Sequence, residues 1–292
     1  MIICPNLFCP DKLFENKIVS LLNKCLFYPA LTLLPKTAVH VKSLHDIYED
    51  MRLNCDYPDI DKKYMVNGSC IKVNRKGLEE KGFVFAGFDL PIWINTPNTV
   101  TESANCRIMI VGLDARRKRI DMYETSPTRD QLMIYSPFAM HCRYHRRKEM
   151  VIPYMTKEIL NCANHCYKTI SLYITDFYKF KLADNPAIIN NANKNIYEDA
   201  YKDEIEVIKP NVVILLGKRV MNAVGVPATA PYFKITIVDG IKYLPIPHPS
   251  GNNIKEINKA LCTIGRNKDE PKIAITKEVC RILKNICSKT SI

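Results

Sequence analysis

Two groups in this chain have the types and settings for charge-stabilising chemistry. His248 stands between two prolines in the run Tyr243-Leu-Pro-Ile-Pro-His-Pro-Ser-Gly-Asn-Asn253. Pro247 and Pro249 stiffen the backbone on either side of the imidazole, and the Ser250, Gly251, Asn252, Asn253 run that follows is small and flexible. Far upstream, Arg107-Ile-Met-Ile-Val-Gly-Leu-Asp114 closes an apolar strand pattern with a carboxylate. An imidazole that donates a hydrogen bond and a carboxylate that stays negative can stabilise opposite charges as a bond breaks. Taken singly, Asp114 also fits a helix N-cap beyond a strand, and His248 a satisfied turn histidine.

The elements that must position these groups follow from the patterning downstream of Asn105. Apolar runs at 108–111, 169–174 and 211–216 read as buried strands, ended near Gly112, Asp176 and Gly217. Runs at 235–238 and 243–246 read as a hairpin, with Asp239-Gly240 as its turn. Helical spacing appears at 156–166, 197–208, 252–262 and 276–287, and another helix begins near Arg219. Such alternation predicts an α/β fold of three α/β/α layers around a mostly parallel sheet. Ligands of such sheets bind beyond the carboxyl ends of the strands, where Asp114, Asp176, Gly217 and His248 are all expected. Upstream, helices are expected at 11–28 and 39–51, then an irregular stretch over 52–101 with a short strand at 83–88. The expected division is a partly helical N-terminal extension, 1–104, packed on a core domain, 105–292.

Composition sets the outer limits. Apolar residues make up 47% of the 292-residue chain, ample for a core, which excludes global disorder. No run approaches the roughly 18 apolar residues that span a bilayer, so no membrane partner is expected. The net charge of +12 and pI near 9.1 favour a polyanionic partner, nucleic acid first. Nine of the basic residues lie between Arg116 and Lys148 against three acids, an expected phosphate-binding rim just past the candidate catalytic strand. The start, Met1-Ile-Ile-Cys-Pro-Asn, has no basic segment followed by a cleavable apolar one. The twelve cysteines sit in apolar contexts, as reduced core thiols do, and the expected location is intracellular, in the cytoplasm.

Four segments, in order, resemble the motifs of the uracil-DNA glycosylase superfamily over roughly residues 105–290. Val111-Gly-Leu-Asp-Ala115 is similar to the first motif, which carries the catalytic carboxylate. Ile174-Thr-Asp-Phe-Tyr-Lys179 resembles the base-reading strand end, and Leu215-Leu-Gly-Lys218 the Leu-Gly strand end before the last active-site helix. His248-Pro-Ser-Gly251 matches the motif with the catalytic histidine and the DNA-inserting loop. The resemblance implies a glycosylase that flips a base from DNA and hydrolyses its N-glycosidic bond, with no cofactor. In that reaction positive charge grows on the deoxyribose and negative charge on the departing base. Asp114 would face the sugar at C1′, and His248 would donate to the base carbonyl O2. Gly112, Leu113, Ala115, Asp176 and Phe138 would bind the base, the last as a stacking aromatic, a position that fits a core phenylalanine equally well. Arg116, Arg117, Lys218, Ser250, Gly251, Asn252 and Asn253 would meet the DNA. Relatives insert a bulky apolar side chain from the last loop, and Ile254 is the nearest here.

Two departures bear on the substrate. The family's base-reading asparagine is replaced by Asp176. A carboxylate only accepts, so it faces uracil O4 acceptor to acceptor, whereas the N4 amino group of cytosine satisfies it. The family's Pro-Tyr-His after the catalytic Asp is replaced by Ala115-Arg116-Arg117, which removes the tyrosine that guards C5 of the pyrimidine. Both point to a modified cytosine, such as the hydroxymethylated or glucosylated cytosine of phage DNA, and to the anti-phage branch. The alternatives are a uracil-DNA glycosylase and a non-catalytic DNA-binding module on this scaffold. No lysine is placed as a Schiff-base nucleophile, so a monofunctional enzyme is expected. Cys4 and Cys9 do not match the spacing of the iron–sulfur branches. Cys142, His145, Cys162 and Cys166 have zinc-like spacing that a half-buried cysteine pair explains equally well, and no metal is expected.

Overall fold

A computed structural model describes residues 83–89, 91–95, 104–114, 134–135, 151–165, 169–178, 180–182, 191–249, 253–266 and 269–288. The helices expected at 11–28 and 39–51 lie outside them. In chain order the elements are β1 (Phe83–Asp89), β2 (Ile92–Asn95), β3 (Cys106–Asp114), β4 (Ile134–Tyr135), α1 (Val151–His165), β5 (Ile170–Tyr178) and β6 (Phe180–Leu182). There follow α2 (Asn191–Ile208), β7 (Val212–Leu216), α3 (Lys218–Ala223), β8 (Thr236–Val238), β9 (Ile241–Ile246), α4 (Ile254–Thr263) and α5 (Pro271–Ser288).

The fold is α/β. Six strands form one mixed sheet in the order β2-β5-β3-β7-β9-β8. Strands β3 and β7 are parallel, as are β7 and β9, while β8 runs antiparallel to β9. A three-stranded sheet, β4-β1-β6, pairs β1 parallel with β4 and antiparallel with β6. The described residues fall into two compact units. The larger holds 93–113, 151–174 and those from 208 to 288; the other holds 83–92, Asp114, 134–135 and 175–207.

The central strands form where aliphatic residues run without alternation. Val212-Val-Ile-Leu-Leu216 is buried throughout, as a strand covered on both faces must be. The hairpin turn is formed by Asp239 and Gly240, both at positive φ (49° and 76°), the two-residue geometry that matches strand twist. Helix α5 buries Ala274, Ile275, Val279, Ile282 and Leu283, and packs against α1 and α4. Its Glu278 accepts from Arg266 and Arg281, and the Arg281 guanidinium first, then Arg266, holds that carboxyl below its usual range.

The amino ends of the strands are stitched by polar side chains. Asn105 and Thr169 exchange bonds, each side chain accepting from the other's backbone N–H at 3.0 Å. Asn211 accepts from the Arg107 N–H through Oδ1 at 2.7 Å, and its own N–H donates to the Arg107 carbonyl at 2.8 Å.

Several expectations need correction. The cysteines are not all reduced thiols, because Cys106 at the start of β3 and Cys287 near the end of α5 form a disulfide. Their Cα atoms stand 5.6 Å apart, a normal bridging distance, although 181 residues separate them in sequence. Strand β5 does not stop before Asp176 but continues to Tyr178, because Phe177 and Tyr178 are themselves buried. Helix α5 begins at Pro271 rather than residue 276, with proline at the first position, where its missing N–H costs nothing. Strand β2 was not foreseen; its Trp93 is fully buried with its ring 4.8 Å from that of Tyr173.

Candidate active site around His248

Strand β9 ends at Ile246, and two residues on, His248 is half-buried between buried Pro247 and half-buried Pro249. The neighbouring strand β7 ends at Leu216, which pairs with Ile246. The next residue, Gly217, donates its N–H to the Ile246 carbonyl at 2.8 Å, extending the ladder by one bond. Its φ of +88° turns the chain out of the strand and into α3. A β-carbon there would lie 2.9 Å from that of His248, so the histidine backbone rests directly against the glycine. Nearby, the Phe233 N–H donates to the Pro245 carbonyl at 2.9 Å, fixing β9 two residues before Pro247.

The chain beyond the histidine loop is also tied to the end of β7. Asn253 is the N-cap residue of α4, without a side-chain capping bond, although Asn253-Ile-Lys-Glu256 has the spacing of a capping box. Glu256 instead accepts from the Tyr232 hydroxyl at 2.9 Å and faces the Lys218 ammonium at 3.4 Å, both at Oε1. Burial, then the Glu256 carboxylate, pushes the Tyr232 hydroxyl above its usual range, which keeps it a donor. Lys218, expected to meet DNA, is thus an exposed side chain already facing a carboxylate. Tyr232 and Glu256 were not anticipated. The capping-box spacing marked Glu256, but nothing near Tyr232 announced its partner.

On β3, Gly112 is buried and Leu113 half-buried, and Asp114 is the last strand residue. The Asp114 side chain lies outside the described residues, as do Ala115, Arg116, Arg117, Phe138, Ser250, Gly251 and Asn252. Asp176 is 3% exposed within β5. The residues beside it are fixed to α2: the Thr175 hydroxyl donates to Glu204 at 3.2 Å, and the rings of Phe177 and Tyr201 stand 5.7 Å apart.

Among the described residues no group of three or more histidine, cysteine or acidic side chains could hold a metal. Of the zinc-like set, Cys142, His145 and Cys166 lie outside the described residues. Cys162 on α1 instead neighbours Cys280 on α5, whose thiol is pushed up to about 12 by burial first and then by Cys162. Among the described residues no helix is long and apolar enough to cross a membrane. The chain matches no protein-family model, and comparison with curated proteins finds no relative.

Proposed function

We propose that this chain is a DNA glycosylase that flips a modified cytosine out of the helix and hydrolyses its N-glycosidic bond, leaving an abasic site. The observation that carries the reading is a cross-strand row. Val111 pairs with Leu215, and Leu215 with Pro245, across three adjacent parallel strands. Three residues past that row stand Asp114 on β3 and His248 beyond β9. Carboxyl ends of parallel strands are where open α/β sheets bind ligands. The ordered motifs supply the chemistry that this placement would serve. The finer fold, three layers around a mostly parallel sheet, belongs to the same proposal. Support comes from the parallel β3, β7 and β9, and from the bond at 3.1 Å between the Cys106 N–H and the Thr169 carbonyl, which brings the starts of β3 and β5 together.

In the proposed reaction the nucleotide is flipped out first, since its C1′ is out of reach inside the stack. Asp114 steadies the cationic sugar and orients the attacking water. His248 donates to O2 and stabilises the negative charge on the leaving base. Asp176 accepts from the exocyclic N4 amino group, a donor that uracil, with an acceptor at O4, does not offer. Ile254, 44% exposed at the start of α4, has the exposure that an apolar wedge for the vacated stack requires. Arg116 and Arg117 would contact the phosphates or the C5 adduct.

A panel of DNAs containing uracil, cytosine, hydroxymethylcytosine or glucosylated cytosine tests the reading, scored for free base and abasic sites. Release of modified cytosine is expected, and Asp176→Asn should move preference toward uracil. Robust release of uracil alone would make the chain a uracil-DNA glycosylase. DNA binding without release of any base would leave the non-catalytic module.

A further inference from the structure

Four glycines among the described residues hold positive φ: Gly217, Gly225, Gly240 and Gly265, at 88°, 79°, 76° and 71°. All four avoid the strain that a side chain meets in that region. Three of them have nothing else to avoid, since a β-carbon at Gly225, Gly240 or Gly265 would meet no atom within 4 Å. At Gly217 the same atom would lie 2.9 Å from His248 Cβ, 3.5 Å from its N and 3.6 Å from its Cα. The three nearest atoms all belong to the one histidine to which a catalytic role is given above.

Neither side of this contact can yield by a side-chain rotation. The atom that Gly217 would strike is a β-carbon, fixed by the histidine backbone, and that backbone is flanked by Pro247 and Pro249. Gly217 itself is held by its N–H bond to the Ile246 carbonyl and by the first turn of α3, where its carbonyl accepts from the Met221 N–H at 3.3 Å. The ion pair beyond His248 joins an exposed Lys218 to a half-buried Glu256 and is of the partly screened, modest kind.

We infer that Gly217 is a positioning residue for His248: the side chain it lacks determines where the imidazole stands at the end of β9. The catalytic weight of that placement rests on the glycosylase reading, whereas the placement itself does not.

The test uses the full chain with Gly217→Ala, and Gly225→Ala and Gly240→Ala as controls that meet the same backbone strain without the contact. The first readout is the imidazole resonances of His248, assigned against His248→Gly and followed through a pH titration. Gly217→Ala should move them and the controls should not. Base release should fall at least about tenfold in kcat with KM little changed, since a displacement near 1 Å can cost about 100-fold. If Gly217→Ala alone does not fold, adding His248→Gly removes the opposing β-carbon and should restore the fold. Unmoved His248 resonances in a folded Gly217→Ala would overturn the inference. So would no rescue by His248→Gly, or full turnover in Gly217→Ala where His248→Ala has lost it. A wild-type chain that releases no base would end the glycosylase reading instead, and the resonances and the rescue would still decide the role of Gly217.

Discussion

The two ends of the β3, β7 and β9 ladder are built on different principles. At the amino end the matches are reciprocal: the side chains of Asn105 and Thr169 with each other's backbone, and Asn211 with Arg107 through its side chain and its backbone N–H. The Cys106–Cys287 disulfide adds a covalent tie to α5. At the carboxyl end the ladder closes with backbone bonds, from Gly217 to Ile246 and from Phe233 to Pro245, and a contact that exists because a side chain is missing. The ion pair beyond it joins an exposed lysine to a half-buried glutamate. One end is redundant, so losing a single interaction there costs stability while geometry persists. The other sets His248 against a glycine with no side chain to spare, so a small change there should move the imidazole before it unfolds anything. Sheets of this class keep ligands at the carboxyl ends, and the contrast assigns stability to one edge and placement to the other.

Breaking the amino end should therefore cost the most stability and leave His248 where it is. Reducing the Cys106–Cys287 bond should remove about 2–4 kcal/mol, read as a fall in denaturant midpoint. The His248 imidazole resonances should not move; if they did, the two ends would not be independent. Asn211→Ala is next, at about 1–3 kcal/mol, because it leaves the Arg107 N–H without its partner. A loss below measurement error would mean that water replaces the side chain and that the stitching is not what holds this edge. Smallest is Glu256→Gln at the carboxyl end, below about 1 kcal/mol, since Lys218 is exposed and the glutamine carbonyl can still accept from Tyr232. That variant should also lower the raised Tyr232 pKa part of the way, because the negative charge goes while burial stays. The ring resonances of Tyr232, assigned against Tyr232→Phe, read this, and no movement would mean burial alone holds Tyr232.

The legibility of the chain follows the range of the interactions. Strand β7 and the β8–β9 hairpin were readable because their signals are local: five consecutive aliphatics in one case and Asp-Gly between apolar runs in the other. The start of α5 was misplaced because Pro271 reads as a break when taken alone and as a first helical residue only in context. Strand β2 escaped notice because its four residues lie between turn-forming prolines at 91 and 97. The cysteine pairing was hidden by its separation in sequence, and apolar surroundings gave no hint of oxidation. At the site, His248 and Gly217 were each visible as punctuation after a strand, but their mutual contact depends on the β7–β9 register, which no local pattern encodes. At Asp176 the strand was expected to end, and its continuation through β5 depended on the burial of two aromatics after it.

The most direct measurement compares the wild-type chain with His248→Ala on DNA carrying modified cytosine, counting free base and abasic sites in a single turnover. Removing one hydrogen-bond donor from a developing anion should slow release about 100- to 1,000-fold while DNA affinity stays within a few-fold. Equal release by the two proteins would remove the imidazole from the reaction and contradict the account at its centre.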